Sequence, residues 1–323
     1  MKAITYKEYG PPEVLELSEV AKPVPKDNEV LIKIHASTVS SGDWRARSLD
    51  LPRGFGVFGR LVFGLSGPRN SILGTELSGV IEAVGKTVST LSVGDHVIAY
   101  PGFGGHAEYK AMPADGVIAL KPDNLSFEEA AALSFGGITA LEFLRDKGNI
   151  QSGEKVLVIG ASGATGSSAV QLARHFGASV SGVCSTANLA LVKSLGADKA
   201  LDYTSEDFSK NGEVYDLIVD TTGTAPWSRC KGSLTKTGRL LVISGSLGDM
   251  LKAPFVSRKH GKKLISGVSM GSIENLKFLT DLVETGHFKP LVDRVYPLEQ
   301  AVQAHAYVDT GRKKGSVVLS ISS

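Results

Sequence analysis

The sequence predicts an α/β fold: a doubly wound parallel sheet set between a β-rich first third and a closing strand. Three observations predict it. Residues 1 to about 120 hold short alternating or apolar runs broken by Gly, Pro, Asn and Asp. From Ser126 onward, continuous Val/Ile/Leu runs alternate with helical patterns. A glycine-rich turn, VIGASGATGSS from Val158 to Ser168, joins the first of those runs to a helix.

In the first part, MKAITY, VLELSEV, VLIKIHAST, GVIEAVG and DHVIAY read as strands. The stretch from Leu51 to Leu73, LPRGFGVFGRLVFGLSGPRNSIL, fits neither period, with three phenylalanines among five glycines and two prolines. It reads either as a surface loop tucked onto the core or as an apolar lid over a pocket. The segment SFEEAAALSFGGITALEFLRDKG opens with a capping box, Ser126 with Glu129 three residues on. Strands and helices then alternate: VLVIGA, TGSSAVQLARHFG, SVSGVCS, NLALVKSLG and the short KALDY. DLIVDTT, GRLLVISG and KLISGVSM are further apolar strands. After Gly271 come an amphipathic helix, IENLKFLTDLVETG, then RVYPLEQAVQAHAYVDTG with Pro297 as the first residue of a second helix, then the strand SVVLSI.

The composition is that of a soluble globular chain. Of 323 residues, 42% are hydrophobic and 21% charged, and the net charge of +2 points to neither nucleic acid nor a membrane surface. Two cysteines, Cys184 and Cys230, make no disulfide framework, and the stretch MKAITYKEYGPPEVL lacks a signal-peptide core. Both features predict a cytoplasmic protein.

Ala161, Gly163 and Gly166 stand at the spacing of the G-x-G-x-x-G dinucleotide fingerprint, with alanine in the first slot and Gly160 just before it. The motif follows a strand and opens a helix, the context it requires. Gly163 lets backbone approach a pyrophosphate, and Gly166 lets helix and strand pack closely. Ser162, Ala164 and Thr165 complete the loop at the helix N-terminus, where free N–H groups favour an anion. An NAD site places Asp or Glu about 20 residues on, at the end of the second strand. Here that strand ends in Ser185 and Thr186, the former 22 residues past Gly163. Hydroxyls donate to a 2′-phosphate where a carboxylate repels it, so NADP(H) is expected. A nearby cation is missing: Asn188 is neutral, and Arg45 and Lys314 are the candidates to reach in.

These residues lead to a resemblance that runs nearly end to end. ILGTELSGVIEAVG with GDHVIAY, SFEEAAAL with GITA, GASGATGSSAVQLA, SLGADKALDY, and PLEQAVQAH with GRKKGSVVL together resemble a medium-chain dehydrogenase/reductase of the zinc-free quinone oxidoreductase (zeta-crystallin-like) branch. The resemblance implies a GroES-like catalytic domain from residues 1–125 and 271–323, with a six-stranded Rossmann domain inserted over 126–270 and an active cleft between them. It also implies a homodimer or homotetramer. Zinc members carry Cys-x-x-Asp and Gly-His-Glu-x-x-Gly stretches; here they read Ser40-Ser41-Gly42-Asp43 and Gly74-Thr75-Glu76-Leu77-Ser78-Gly79. Hydroxyls replace both zinc ligands, so no metal is expected. The family pattern carries over Thr139 to the nicotinamide, Tyr203 to the 2′-phosphate, Thr222 and Gly223 to the ribose, and Ser244 and Gly245 to the end of the fifth strand. Thr139 reads equally as a helix N-terminal residue and Tyr203 as a capping aromatic. Two departures stand out, Ser40 where quinone reductases usually have Asn and Asn188 where they often have Lys.

Without a Lewis acid, the chemistry suits hydride transfer to an already activated acceptor, a quinone or an α,β-unsaturated carbonyl. The oxygen that gains charge then needs hydrogen-bond donors, for which Ser40, Trp44 and Arg45 are the candidates. The plainer reading of SSGDWRAR is a helical turn with a structural Asp43 and a packed Trp44. A zinc-independent alcohol or aldehyde dehydrogenase, and a non-catalytic NADPH-binding sensor, are the alternatives.

Overall fold

The stretch Val30 to Ile34, apolar but for Lys33, and the small residues Ala36 to Thr38 make one long strand that anchors the first part of the chain. The computed structural model describes residues 1–321. Along the chain the strands are β1 (Lys2–Thr5), β2 (Glu16–Glu19), β3 (Glu29–Val39), β4 (Leu77–Val84), β5 (His96–Ala99), β6 (Tyr109–Pro113), β7 (Ile118–Leu120), β8 (Lys155–Ile159), β9 (Ser179–Cys184), β10 (Lys199–Asp202), β11 (Tyr215–Asp220), β12 (Leu234–Val242), β13 (Lys263–Ser266), β14 (Val292–Pro297) and β15 (Ser316–Ser320). The α-helices are α1 (Ser41–Ser48), α2 (Gly56–Phe63), α3 (Phe127–Ala131), α4 (Ser134–Leu141), α5 (Ala164–His175), α6 (Leu189–Ser194), α7 (Trp227–Cys230), α8 (Leu247–His260), α9 (Ile273–Glu284) and α10 (Ala301–Asp309). Among the described residues, no helix is long and apolar enough to cross a membrane.

The chain forms two compact units, one from residues 1–51, 56–135 and 271–323, the other from 52–55 and 136–270. In the first, a seven-stranded sheet runs β14-β15-β3-β4-β5-β7, with β6 also on β3. All its pairs are antiparallel except β14 with β15. Val30, Ile32, Ile34, Leu77, Ile81 and Val97 form one core cluster on it. Leu73, Val39, Leu298, Ala304 and Val317 form another. Helix α3, announced by the pattern change at Ser126, stays with this unit because Ala131 packs on Ala36 and Val318.

The second unit is a six-stranded parallel sheet in the order β10-β9-β8-β11-β12-β13. Counted within the unit this is 3-2-1-4-5-6, the doubly wound order. One row of partners crosses it: Leu201, Val183, Ile159, Asp220, Val242 and Ser266. Every loop that follows a strand therefore leaves from one edge, and the order reverses between β8 and β11, where doubly wound sheets bind ligands.

Four local expectations change. The 51–73 segment contains a helix, α2. The RVYP stretch is strand β14, so Pro297 ends a strand and caps a 3-10 turn rather than opening a helix. Strands β6 and β7 and helix α8 add elements that the runs above do not include. The long helical pattern from Ser126 divides into α3, α4 and a π-helical turn over Glu142–Lys147.

Candidate functional site

In the second unit, the turn after β8 is shaped by the protein's own packing at two glycines and left open at a third. Gly160 has φ +79°, and a Cβ there would lie 2.4 Å from Thr222 Cγ2. A Cβ on Gly166 would lie 2.0 Å from the carbonyl oxygen of Gly160, so helix α5 meets strand β8 only with glycine there. A Cβ on Gly163 would meet nothing nearer than that same oxygen at 3.6 Å. Gly163 is also the N-cap of α5 and supplies no side-chain acceptor to the helix's first N–H groups. The head of α5 is thus an open cradle of unpaired donors, which fits a diphosphate. Ser162, Ala164 and Thr165 line it half-buried.

The sequence-predicted residues at the other strand ends join this cradle by contact. Asn188 is buried and its amide donates to Ser162 Oγ (3.1 Å) and Ser185 Oγ (3.3 Å). That leaves each serine's own O–H to donate elsewhere. Thr186 is different: its hydroxyl donates to Asp202 Oδ2 at 2.5 Å. The hydroxyl expected to serve a phosphate is committed to a carboxylate at the end of β10. Asp202 also accepts from the Thr204 N–H and hydroxyl, and these bonds, that of Thr186 foremost, hold its carboxyl below the usual range. Tyr203 is 61% exposed, with its N–H on the Cys184 carbonyl. Past β11, the fully buried Asp220 accepts from the N–H groups of Thr222, Gly223 and Ala225 and from the Thr222 hydroxyl. It fixes that turn, and Gly223 comes close enough to Ser244 that a Cβ would lie 3.1 Å from its carbonyl oxygen. Gly245 abuts Ser266 in the same way. Thr139 is buried in α4, whose first turn touches the head of α5 where Gly136 faces Ala164.

In the first unit, Ser40 is the N-cap of α1 in a capping box with Asp43. Its hydroxyl donates to Asp43 Oδ2 (2.6 Å), and Asp43 also accepts from the N–H groups of Ser40 (2.8 Å) and Gly74 (2.9 Å). Thr75 Oγ1 lies 3.0 Å from Ser40 Oγ and, with that proton already given to Asp43, is the donor of the pair. Asp43 is therefore the structural hub, and Ser40 has no spare proton to offer in this arrangement. Trp44 packs half-buried on the core around Leu73 and Leu298. The guanidinium of Arg45 lies 5.9 Å over the Trp44 ring, and its buried Nε–H meets no protein acceptor. Burial lowers its pKa. Lys314 is exposed, and its backbone N–H donates to Asp293.

Three features escaped the sequence reading. Glu76 is buried beside this hub, accepting from Thr38 Oγ1 (2.6 Å) and the Phe135 N–H (2.6 Å), and burial pushes its carboxyl up to about 7. Its motif position was legible, but its burial was not. Arg47 is fully buried and pairs with both oxygens of Asp309. His106 and His305 stack edge to face at 5.5 Å, both fully buried. They are 199 residues apart in sequence, so no spacing rule finds them.

The chain matches the alcohol dehydrogenase GroES-like domain over residues 26–123 and the zinc-binding dehydrogenase family over residues 195–319. It is 37% identical over 333 residues to 2-methylene-furan-3-one reductase of Solanum lycopersicum, covering 99% of this chain and 79% of the relative. It is 32% identical over 333 residues to the NADPH-dependent alkenal/one oxidoreductase, chloroplastic, of Arabidopsis thaliana, with the same coverage. The quinone oxidoreductase from Coxiella burnetii has a similar structure, with a TM-score of 0.88 at 30% identity, covering 100% of this chain and 99% of that one. The second family's name implies zinc, but two hydroxyls tied to Asp43 are a poor donor set for it beside thiolate and imidazole. Among the described residues, no three His, Cys, Asp or Glu side chains are grouped to hold a metal. The open cradle on α5, by contrast, fits the dinucleotide these dehydrogenases use. The chain belongs to the medium-chain dehydrogenase/reductase family, in its quinone oxidoreductase branch.

Proposed function

We propose that the chain is a reductase that passes hydride from NADPH to an activated acceptor, a quinone or an α,β-unsaturated carbonyl. One observation carries the cofactor half: Gly163 is open where Gly160 and Gly166 are closed by packing. The nicotinamide supplies the hydride when bound. The residues of this chain bind and orient. The first N–H groups of α5 receive the diphosphate, and Thr222, Gly223, Ser244 and Gly245 border the ribose and nicotinamide end, with Thr139 the candidate to meet the nicotinamide. Ser185 is the donor to the 2′-phosphate, because its oxygen accepts from Asn188 and its own O–H is left to donate. Tyr203 and Lys314 complete the candidate cofactor set.

For the acceptor, Arg45 ranks ahead of Ser40. Its Nε–H has no protein acceptor, whereas the Ser40 proton is on Asp43. Trp44 supplies the flat apolar wall against which Arg45 stacks. Negative charge arriving on a conjugated oxygen is held by such donors without a metal. The relatives named for alkenal/one and furanone reduction support this substrate class. NADPH consumption followed in a spectrophotometer with a panel of quinones and enones tests the reading. Turnover is expected with members of at least one class, and no turnover across the panel contradicts it.

A further inference from the structure

Asn188 stands at the N-cap of α6, where an asparagine carbonyl ordinarily accepts from the helix's first N–H groups, yet its side chain makes no such bond. The residue is only 8% exposed, and its buried Oδ1 meets no donor among the described residues. The side-chain nitrogen instead donates to Ser162 Oγ (3.1 Å), in the glycine-rich turn, and to Ser185 Oγ (3.3 Å), just past β9. The backbone N–H of Asn188 donates to the Ser185 carbonyl (2.9 Å), so the residue is tied to that strand end twice. Turning the amide over would bury two unmet N–H in place of one unmet carbonyl, so the nitrogen belongs toward the serines.

A buried carbonyl without a partner lowers stability, and a local rule broken at that cost points to function. The function lies in what the two serines keep. Each oxygen accepts from Asn188, so each O–H is left to donate to a ligand. The neighbouring Thr186 hydroxyl is already given to Asp202. Neither segment brings a cation, since residues 156–173 and 178–192 hold no Lys or Arg. We propose that Asn188 is the positioning residue that sets the choice of cofactor, by holding Ser162 and Ser185 as a pair of neutral donors to the 2′-phosphate. The proposal rests on the reading of the chain as NADPH-dependent. A phosphate only accepts and carries charge, so it gains more from two donors than the 2′-hydroxyl of NADH does.

Fluorescence titration of the full chain with NADPH and with NADH tests this through the ratio of the two dissociation constants. Wild type should favour NADPH. Asn188→Asp keeps the shape but accepts both serine protons and adds negative charge, so the ratio should move toward NADH by roughly tenfold or more. Asn188→Leu, which can neither donate nor repel, should move it less in the same direction. Ser162→Ala and Ser185→Ala, small changes at half-buried side chains, should each move it too and serve if the Asn188 variants fail to fold. An equal loss of affinity for both cofactors would make Asn188 merely structural, and a wild-type ratio kept by every variant would leave the serines without a role; either overturns the proposal while the cofactor reading stands. A wild type that prefers NADH, or binds neither cofactor, overturns that reading and the proposal with it.

Discussion

Gly163 and Gly166 are three residues apart, and the protein's own packing requires only the second. Gly166→Ala places a methyl 2.0 Å from the Gly160 carbonyl, so helix α5 must shift, at a cost of about 1–3 kcal/mol. Gly163→Ala keeps a φ of −79° that alanine adopts and makes only an ordinary contact at 3.6 Å; alanine caps a helix less well than glycine, but the stiffer unfolded chain offsets this, so the net cost should be well under about 1 kcal/mol. Urea denaturation of both variants checks the contrast; equal losses would mean that the turn is closed at Gly163 too. The glycine spacing was legible in the sequence because the motif is local. The Thr186–Asp202 bond was not, because the two residues are 16 apart and meet only through the parallel register of β9 with β10. Ser40 shows the same limit. The residue type suggested a donor, and Asp43 read as structural, but that it takes the Ser40 proton was not visible.

At the scale of elements, α1 is fixed at both ends by buried charge. Asp43 holds its start, and Arg47 ties its last turn to α10 through Asp309 at 2.6 and 2.7 Å. Asp309→Ala strands a fully buried guanidinium, and a loss of about 3 kcal/mol is expected in denaturant unfolding. The lower end of the usual range applies because Asp309 keeps 28% of its side chain in water; a loss below about 1 kcal/mol would show that Arg47 finds another partner. The parallel strands were legible because strands buried on both faces read as unbroken apolar runs. Helix α2 was not, since Gly56 and Gly59 break its propensity and Arg60 interrupts its apolar run. Strand β14, VDRVYP, sets two charges side by side instead of alternating them with apolar residues, and it ends on Pro297. Helix α8 carries Pro254 inside it, which argues against a helix on sequence alone.

Across the whole molecule, the buried histidines set a pH limit. Burial lowers the pKa of His106 and drives that of His305 well below its usual 6.5, with His106 and then Arg47 adding to the second. His106 Nε2 lies 2.9 Å from the Thr38 carbonyl, so that nitrogen carries the proton of a neutral ring. Below about pH 6.5 the unfolded histidines take up protons more readily than the folded ones, so stability falls as pH falls. Glu76 works in the opposite sense. Folded it titrates near 7 against an ordinary 4.5, so between those values it binds a proton that the unfolded chain lacks. From about pH 6 to 4.5 the Glu76 gain offsets part of the loss from the two histidines, and below 4.5 that offset is gone and the fall steepens. Urea midpoints across pH 4 to 7 measure this, and His305→Gln, which cannot titrate, should make the fall shallower. A stability that rises toward acid would contradict the assignment.

The α/β division of the chain and the doubly wound sheet were legible at this scale, because period and burial repeat over tens of residues. The pairing of His106 with His305 was not, since it depends on how α10 packs.

The account depends on a dinucleotide lying against the head of α5, and ligand-dependent melting tests that most directly. Wild type and Gly163→Ala are melted alone, with NADPH and with NADH. The account predicts a clear rise with NADPH, a smaller one with NADH, and the loss of both shifts in Gly163→Ala at an unchanged unliganded melting temperature. An unshifted wild type, or a variant that keeps the full shift, would contradict it.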